Sequence, residues 1–254
     1  MRRRIGLGVL AVWGCLAVPG ASWAGSEPVP CANVMASVLT RHPDEAAPAC
    51  AGARDAFGFL GRLQLERARP VLIEVVPEMP EDLRRDAVGC YAPRTHRLLV
   101  LEMARFMDRG RWFGVPTSEA LYRSVVAHEV AHALVGCHLD GRQLVTSAHE
   151  YVAYVAMFAT MDPATLETVF AAMPGPGFTY DAEINDMRYT LDPMAFGVEA
   201  YRHWLRQPDG FGFLRQVIDG KVVPELLLSR SSLGLAPDSR LAGGAASPFS
   251  GAYR

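Results

Sequence analysis

The sequence predicts an α+β fold in which a small N-terminal β-sheet is followed by a mainly helical half. Residues 71–76 and 97–101 are short β-branched or leucine-rich runs beside prolines and turn residues, which is typical of strands. From residue 117 onward, apolar residues recur instead at helical spacing. The chain has 254 residues, 50% of them hydrophobic, which is enough for one sizeable domain.

The first 24 residues have the pattern of a signal peptide. Three arginines at positions 2–4 precede an apolar run from Ile5 to Val18, and small residues surround position 24. The apolar run is shorter than the ~20 residues of a membrane-spanning helix. We therefore expect cleavage, no membrane span in the mature chain, and a location in the periplasm or outside the cell.

The rest of the chain divides into two parts by composition. Residues 25–228 are predicted to form a single domain, whereas residues 229–254 are rich in Gly, Ser, Ala and Pro and are predicted to form a loosely ordered tail. Removal of the three leader arginines lowers the formal charge from −2 to −5. Nucleic acid is therefore not an expected partner.

Four cysteines follow the leader, at positions 31, 50, 90 and 137. An even number of cysteines in an exported protein favours two disulfides, and the sequence leaves the three possible pairings open. A zinc site made of thiols is the other interpretation. No Cys-x-x-Cys pair is present, which argues against it.

The predicted elements of the first half are one helix and three strands. Apolar residues at helical spacing predict a helix over 50–67, which Pro70 ends. The strand at 71–76 follows directly. A turn at 92–95 allows residues 89–91 to pair antiparallel with the strand at 97–101.

The second half is predicted to consist of helices. Thr117 or Ser118 can cap the first of them, and Gly136 lies where a glycine commonly ends a helix. A proline–glycine run at 174–177 interrupts the series. The remaining predicted helices cover residues 147–160, 163–173, 193–206 and 212–218.

The first helix of this half carries a potential metal site. His128 and His132 are four residues apart, so both imidazoles lie on one helical face and can reach one ion. Glu129 lies beside them, where it can hold a water molecule instead of binding the metal. Leu121 and Val125 precede the histidines on the same face, which predicts that the site is buried.

The run His-Glu-Val-Ala-His at 128–132 resembles the shared motif of the zincin metallopeptidases. In that family the motif lies on an active-site helix that follows a small sheet. The resemblance is specific over residues 117–160. It implies a zincin-like fold, Zn²⁺ as the cofactor, and a third protein ligand beyond the motif.

Two residues are candidates for the third ligand. His138 has the spacing of the third metzincin histidine, but that motif requires glycine where this chain has Val135, and Gly136 comes one position late. Glu150 resembles the third ligand of the gluzincins, which arrives from a second, antiparallel helix. We favour Glu150 and keep His138 as the alternative.

The residues around Glu150 carry the gluzincin resemblance. The run His149-Glu150-Tyr151-Val152-Ala153 is similar to the pattern Asn-Glu-x-x-Ala/Ser, with histidine in place of asparagine. It begins seventeen residues after the second histidine of the motif, which is slightly shorter than the usual gluzincin spacing. A solvated charge at a helix start is the other interpretation of this carboxylate.

The resemblance implies a secreted zinc metallopeptidase that cleaves a peptide or protein substrate with a zinc-bound water activated by Glu129. Tyr201 and His203 are candidates for stabilising the oxyanion, and packing with a polar tip is their alternative role. A catalytically silent zincin-like protein and a zinc hydrolase of a non-peptide amide are the rival functions. The sequence predicts no oligomeric state.

Overall fold

The structure, a computed structural model, describes residues 27–65, 69–81, 83, 87–93 and 95–222. These residues all belong to one unit of the chain, which extends to Pro224. The predicted signal peptide and the predicted tail at 229–254 lie outside the described residues. The structure is a mixture of helices with a small sheet, in agreement with the predicted α+β class.

Five strands form the main sheet in the order β1-β2-β3-β5-β4. The β1–β2 and β4–β5 pairs are antiparallel, and the β2–β3 and β3–β5 pairs are parallel. The predicted strands at 71–76 and 97–101 and the antiparallel pairing of residues 89–91 are confirmed. The strands are β1 (Val29–Pro30), β2 (Ala36–Leu39), β3 (Val71–Val76), β4 (Gly89–Ala92) and β5 (Arg97–Leu101).

Eight α-helices, two short 3₁₀-helices (Pro43–Glu45 and Asp181–Glu183) and a short hairpin complete the described fold. All of the helices predicted from the sequence are present, with shifted ends. The hairpin pairs β6 (Arg111–Trp112) with β7 (Val115–Pro116). The helices are α1 (Ala46–Gly61), α2 (Met103–Met107), α3 (Glu119–Leu139), α4 (Thr146–Ala159), α5 (Pro163–Ala172), α6 (Asp186–Leu191), α7 (Pro193–Trp204) and α8 (Gly210–Ile218).

Helix α3 lies at the centre of the molecule, in contact with α1, α4 and strands β4 and β5. Ser118 caps its start by accepting a hydrogen bond from Leu121 N at 3.2 Å. Every residue of α3 from Ser124 to Val135 is buried. A helix that is covered on all sides belongs to the interior, so its polar side chains must find their partners there.

The predicted end of this helix at Gly136 is wrong. Helix α3 continues to Leu139 and ends where Asp140 adopts a left-handed conformation with φ of 47°. Gly136 instead lies against the ring of Tyr91 on β4, where a Cβ atom would be 2.7 Å from Cε1. The glycine is thus a packing position within the helix, which the local sequence did not distinguish from a helix terminus.

A second glycine brings α1 and α3 close together. A Cβ atom at Gly52 would lie 2.3 Å from the backbone oxygen of Arg123 on α3. Nearby, the Arg123 side chain forms an ion pair with Asp55 of α1. This close contact fixes α3 between α1 and the rest of the helical layer.

The sequence predicted two disulfides. The structure shows a disulfide between two of the four cysteines, and another of the four is a free thiol. Cys31 and Cys50 are bonded, which ties the loop after β1 to helix α1. Cys137 is a free, buried thiol, so the expectation that all four cysteines are oxidised is wrong at this position. Burial raises the pKa of the Cys137 thiol, and its Sγ atom lies 3.9 Å from Nδ1 of His96.

Candidate metal centre

Two neighbouring helices supply three potential metal ligands. His128 and His132 lie one turn apart on α3, and Glu150 lies on α4, which packs alongside α3. One ligand atom from each residue lies within 4.8 Å of the other two. The three side chains form a group that could hold a metal ion.

The potential ligand atoms of the two histidines and of Glu150 lie close to one another. The two Nε2 atoms of His128 and His132 are 3.1 Å apart. Glu150 places Oε2 at 3.4 Å from the first nitrogen and Oε1 at 3.6 Å from the second. The two contacts are made by different carboxylate oxygens, so the carboxylate faces both imidazoles at once.

The site is shielded from solvent, and its charges influence one another. Burial lowers the pKa of His132, as does the neighbouring charge of His128. Burial also acts to lower the pKa of His128, but the hydrogen bond and charge of Glu150 outweigh it and raise the pKa overall. The residues therefore offer a neutral imidazole, a second imidazole held by a carboxylate, and the carboxylate itself.

Glu129 lies beside the three potential ligands. Its side chain packs against Gly89, the first residue of β4. Its side chain is 6% exposed. Burial raises its pKa to about 7, with His128 acting to lower the pKa and Glu150 to raise it. A carboxyl group with a pKa near neutrality can both accept and return a proton at physiological pH.

Tyr189 is a site residue that the sequence analysis missed. It lies on the short helix α6, close enough to Glu150 for the charge of that carboxylate to act on its hydroxyl. Burial raises its pKa, and the charges of Glu150 and Glu129 add to the effect, so the hydroxyl keeps its proton. Helix α6 has only six residues, too few for a periodic pattern to reveal it.

Helix α6 is held against the start of α4 by its first residue. A carboxylate oxygen of Asp186 accepts a hydrogen bond from the backbone nitrogen of Ser147 at 2.7 Å. Arg188 then bonds to both Glu183 and Glu199 at 2.7 and 2.9 Å. These contacts fix the helix that carries the tyrosine.

The ring of Tyr154 forms another wall of the site. It lies 4.5 Å from the His128 ring, measured between centroids. Gly197 of α7 leaves space for this ring, since a Cβ atom there would lie 2.6 Å from Cδ1 of the tyrosine. The aromatic wall therefore depends on the close approach of α7 to α4.

A family model described as a family of unknown function, DUF6639, matches residues 36–227. The chain belongs to this family. No curated protein and no solved structure matches the chain. The matched segment of this DUF6639 protein includes both helices that carry the three ligands.

The alternative third ligand of this DUF6639 protein, His138, points elsewhere. Because α3 continues through Gly136, residue 138 lies about 240° around the helix from His132, at 100° per residue. Its Nε2 atom lies 3.5 Å from Nη1 of Arg215, a residue of α8. Glu150 is the residue that the structure brings to the two motif histidines.

The two residues expected to stabilise an oxyanion have partners in other places. The Tyr151 hydroxyl donates to Nδ1 of His203 at 2.8 Å, in the tautomer whose Nε2–H faces Asp181 at 3.2 Å. Tyr201 stacks between the rings of Phe158 and Trp204. Tyr189 is instead a tyrosine whose hydroxyl is influenced by the charges of Glu150 and Glu129.

His149 replaces the asparagine of the resembled motif, and the structure places it close to the site. Its ring centroid lies 5.8 Å from that of His132. Burial lowers its pKa to about 4, so the ring is neutral at physiological pH. It therefore adds no positive charge beside the ligand group.

Proposed function

We propose that this protein is a secreted, zinc-dependent metallohydrolase that cleaves peptide bonds, with a zincin-like site of the gluzincin kind. One observation carries the proposal: His128, His132 and Glu150 converge in a buried site that has Glu129 beside it. Three ligands with an adjacent carboxylate are the arrangement of a catalytic site, in which one metal position stays open to water or substrate.

The ligand chemistry supports zinc. Two imidazole nitrogens and one carboxylate oxygen are among the commonest ligands of catalytic Zn²⁺, and hard cations such as Mg²⁺ and Ca²⁺ prefer oxygen alone. The two Nε2 atoms lie 3.1 Å apart and each has a Glu150 oxygen within 3.6 Å, which supports binding of one small ion by all three side chains. His128, His132 and Glu150 would hold it.

Bound zinc would supply Lewis acidity that polarises a carbonyl group and makes water more acidic. Glu129 accepts the proton of the attacking water and returns it to the leaving amine nitrogen. The hydroxyl of Tyr189, which stays protonated, donates a hydrogen bond to the oxygen that becomes negative during the attack. The buried surroundings strengthen these interactions because little water competes.

The position of β4 supports an extended peptide as the substrate. Strand β4 is the last in the sheet order and pairs only with β5 within the part of the chain that the structure describes. Its first residue, Gly89, lies against Glu129. An extended chain that paired with the outer edge of β4 would therefore pass beside the proposed base.

Export is supported by two independent features. The N-terminal residues have the composition of a signal peptide. The Cys31–Cys50 disulfide is typical of proteins in oxidising compartments. No helix among the described residues has both the length and the apolar character needed to cross a membrane.

Metal analysis together with a peptide-library digest tests the proposal. The purified mature protein should contain about one zinc ion per chain and should cleave members of the library, and chelation should abolish cleavage. Glu129→Gln is the matched control. Zinc without cleavage would favour a silent binding protein or a hydrolase of a non-peptide amide, and absence of zinc would contradict the proposal.

A further inference from the structure

We propose that Gly89 is a positioning residue for Glu129: its missing side chain provides the space in which the carboxylate is held beside the metal ligands. This inference rests on the proposed function for its catalytic consequence, although the contact itself can be tested without turnover. A Cβ atom at position 89 would lie 2.4, 2.5 and 2.6 Å from Cγ, Oε1 and Cδ of Glu129. Distances below 3.0 Å between such atoms require one of them to move.

Backbone conformation does not account for this glycine. Gly89 begins strand β4, and its φ angle lies outside the left-handed range that favours glycine. A glycine within a strand weakens the strand, and a common reason for its presence is the close approach of another group. Here the approaching group is the side chain of Glu129.

The carboxylate has little freedom to move away. Glu129 is 6% exposed, and both of its helical neighbours, His128 and Val130, are buried as well. Displacement would carry a charged or polar group into packed surroundings, which is costly unless new hydrogen bonds form. A methyl group at position 89 would therefore change where Glu129 lies, or force β4 away from α3.

A second glycine holds the same strand and helix in register. Gly136 lies seven residues after Glu129, two turns along the same face of α3. It receives the ring of Tyr91, which lies two residues after Gly89 on β4. Gly89 of the strand thus leaves space for the side chain of Glu129 on the helix. In the same way, Gly136 of the helix leaves space for the side chain of Tyr91 on the strand. These two contacts fix the position of α3 along β4.

A double-mutant cycle measured by thermal unfolding of the metal-free protein tests the contact. Gly89→Ala should lower Tm by roughly 3–10 °C, since added atoms in a packed site are destabilising. Glu129→Ala removes all three atoms that the new methyl group would overlap. In that background, Gly89→Ala should change Tm little. An equal loss of Tm in both backgrounds would overturn the inference.

Kinetics and zinc content test the positioning role. Gly89→Ala should lower kcat by about 100-fold with a small change in KM, since misplacement of a catalytic group by ~1 Å costs on this order. Zinc content should match that of the wild type. Adding Gly89→Ala to Glu129→Gln should cause no further loss. An additive loss, or wild-type activity in Gly89→Ala, would overturn the role.

Gly58→Ala is the matched control, because a Cβ atom at that exposed position of α1 would meet nothing within 4 Å apart from its chain neighbours and its own helix backbone. It should keep wild-type zinc content and activity. A wild-type protein that cleaves no substrate would count against the proposed function, and the unfolding cycle would still decide whether Gly89 contacts Glu129 as inferred. The two failures are therefore distinguishable.

Discussion

Tyr189 lies close to Glu150, so a short helix far along the chain approaches the carboxylate of the candidate ligand group. The contact joins α6 to α4. Under the proposed function, Tyr189 has two effects, one on the orientation of the Glu150 carboxylate and one on the charge that develops during carbonyl attack.

Replacement of Tyr189 by phenylalanine removes the hydroxyl and keeps the ring. We expect kcat to fall by about 10²–10³, the usual cost of losing one oxyanion donor. Zinc affinity should fall by no more than about 10–100-fold, as for other partners of a metal ligand. Steady-state kinetics and zinc titration measure the two effects.

Tyr201→Phe is the control for this experiment, because Tyr201 packs between Phe158 and Trp204. Its kcat should stay within a few-fold of that of the wild type. A large loss in Tyr201→Phe together with a small loss in Tyr189→Phe would return the oxyanion role to the residue expected from the sequence.

The third ligand can be identified by chelator challenge. Glu150→Ala removes one of three ligands and should release zinc under a modest chelator concentration. His138→Ala should retain zinc nearly as well as the wild type, since His138 faces Arg215 on α8. Retention in the first variant and release in the second would contradict the geometry described above.

The cysteines can be assigned by peptide mapping of exported protein under denaturing, non-reducing conditions. Cys31 and Cys50 should appear in one cross-linked peptide, whereas Cys137 should be alkylated. The first residue of the mature chain should lie near Gly25, after the predicted leader. A cross-linked Cys137, or a retained leader, would show that the corresponding part of the account is wrong.

His203 should make stability depend on pH. Burial lowers the pKa of His203, the charge of Asp181 acts to raise it, and Arg206 acts to lower it. The unfolded chain therefore binds a proton at a higher pH than the folded chain does. The stabilising contribution is complete above pH ~6.5 and decreases as the pH falls through that value towards the lower folded pKa.

This pH dependence is measured by denaturant unfolding of the metal-free protein between pH 8 and pH 5. His203→Gln removes the titrating ring and serves as the comparison. The wild type should lose more unfolding free energy than the variant does as the pH falls. Equal losses would indicate that His203 does not titrate differently in the folded and unfolded states.

The sequence predicted the two motif histidines, the adjacent glutamate and most helices, because the relevant patterns are local. An i, i+4 pair of histidines is readable from spacing alone. The four-residue strand β2 was missed, and its parallel pairing with β3 joins residues distant in sequence. Local patterns do not specify such pairings.

The errors at single residues have a common cause. Gly136 has the same local signature whether it ends a helix or receives the ring of Tyr91, and only tertiary packing separates the two cases. Tyr189 was overlooked because α6 is short and because its proximity to Glu150 arises from tertiary packing. Tyr201 and His203 were recognisable because they lie on the longer helix α7, and their proposed oxyanion role stays a prediction.

The most direct test of the account is the rate of peptide hydrolysis by zinc-loaded Glu129→Gln relative to the wild type. Glu129 lies beside the ligand group without being one of the three ligands. The variant should therefore keep its zinc while the rate falls by roughly 10² or more, since general base catalysis contributes 10²–10⁴-fold. A rate equal to that of the wild type, or loss of zinc from the variant, would contradict the assigned role of Glu129.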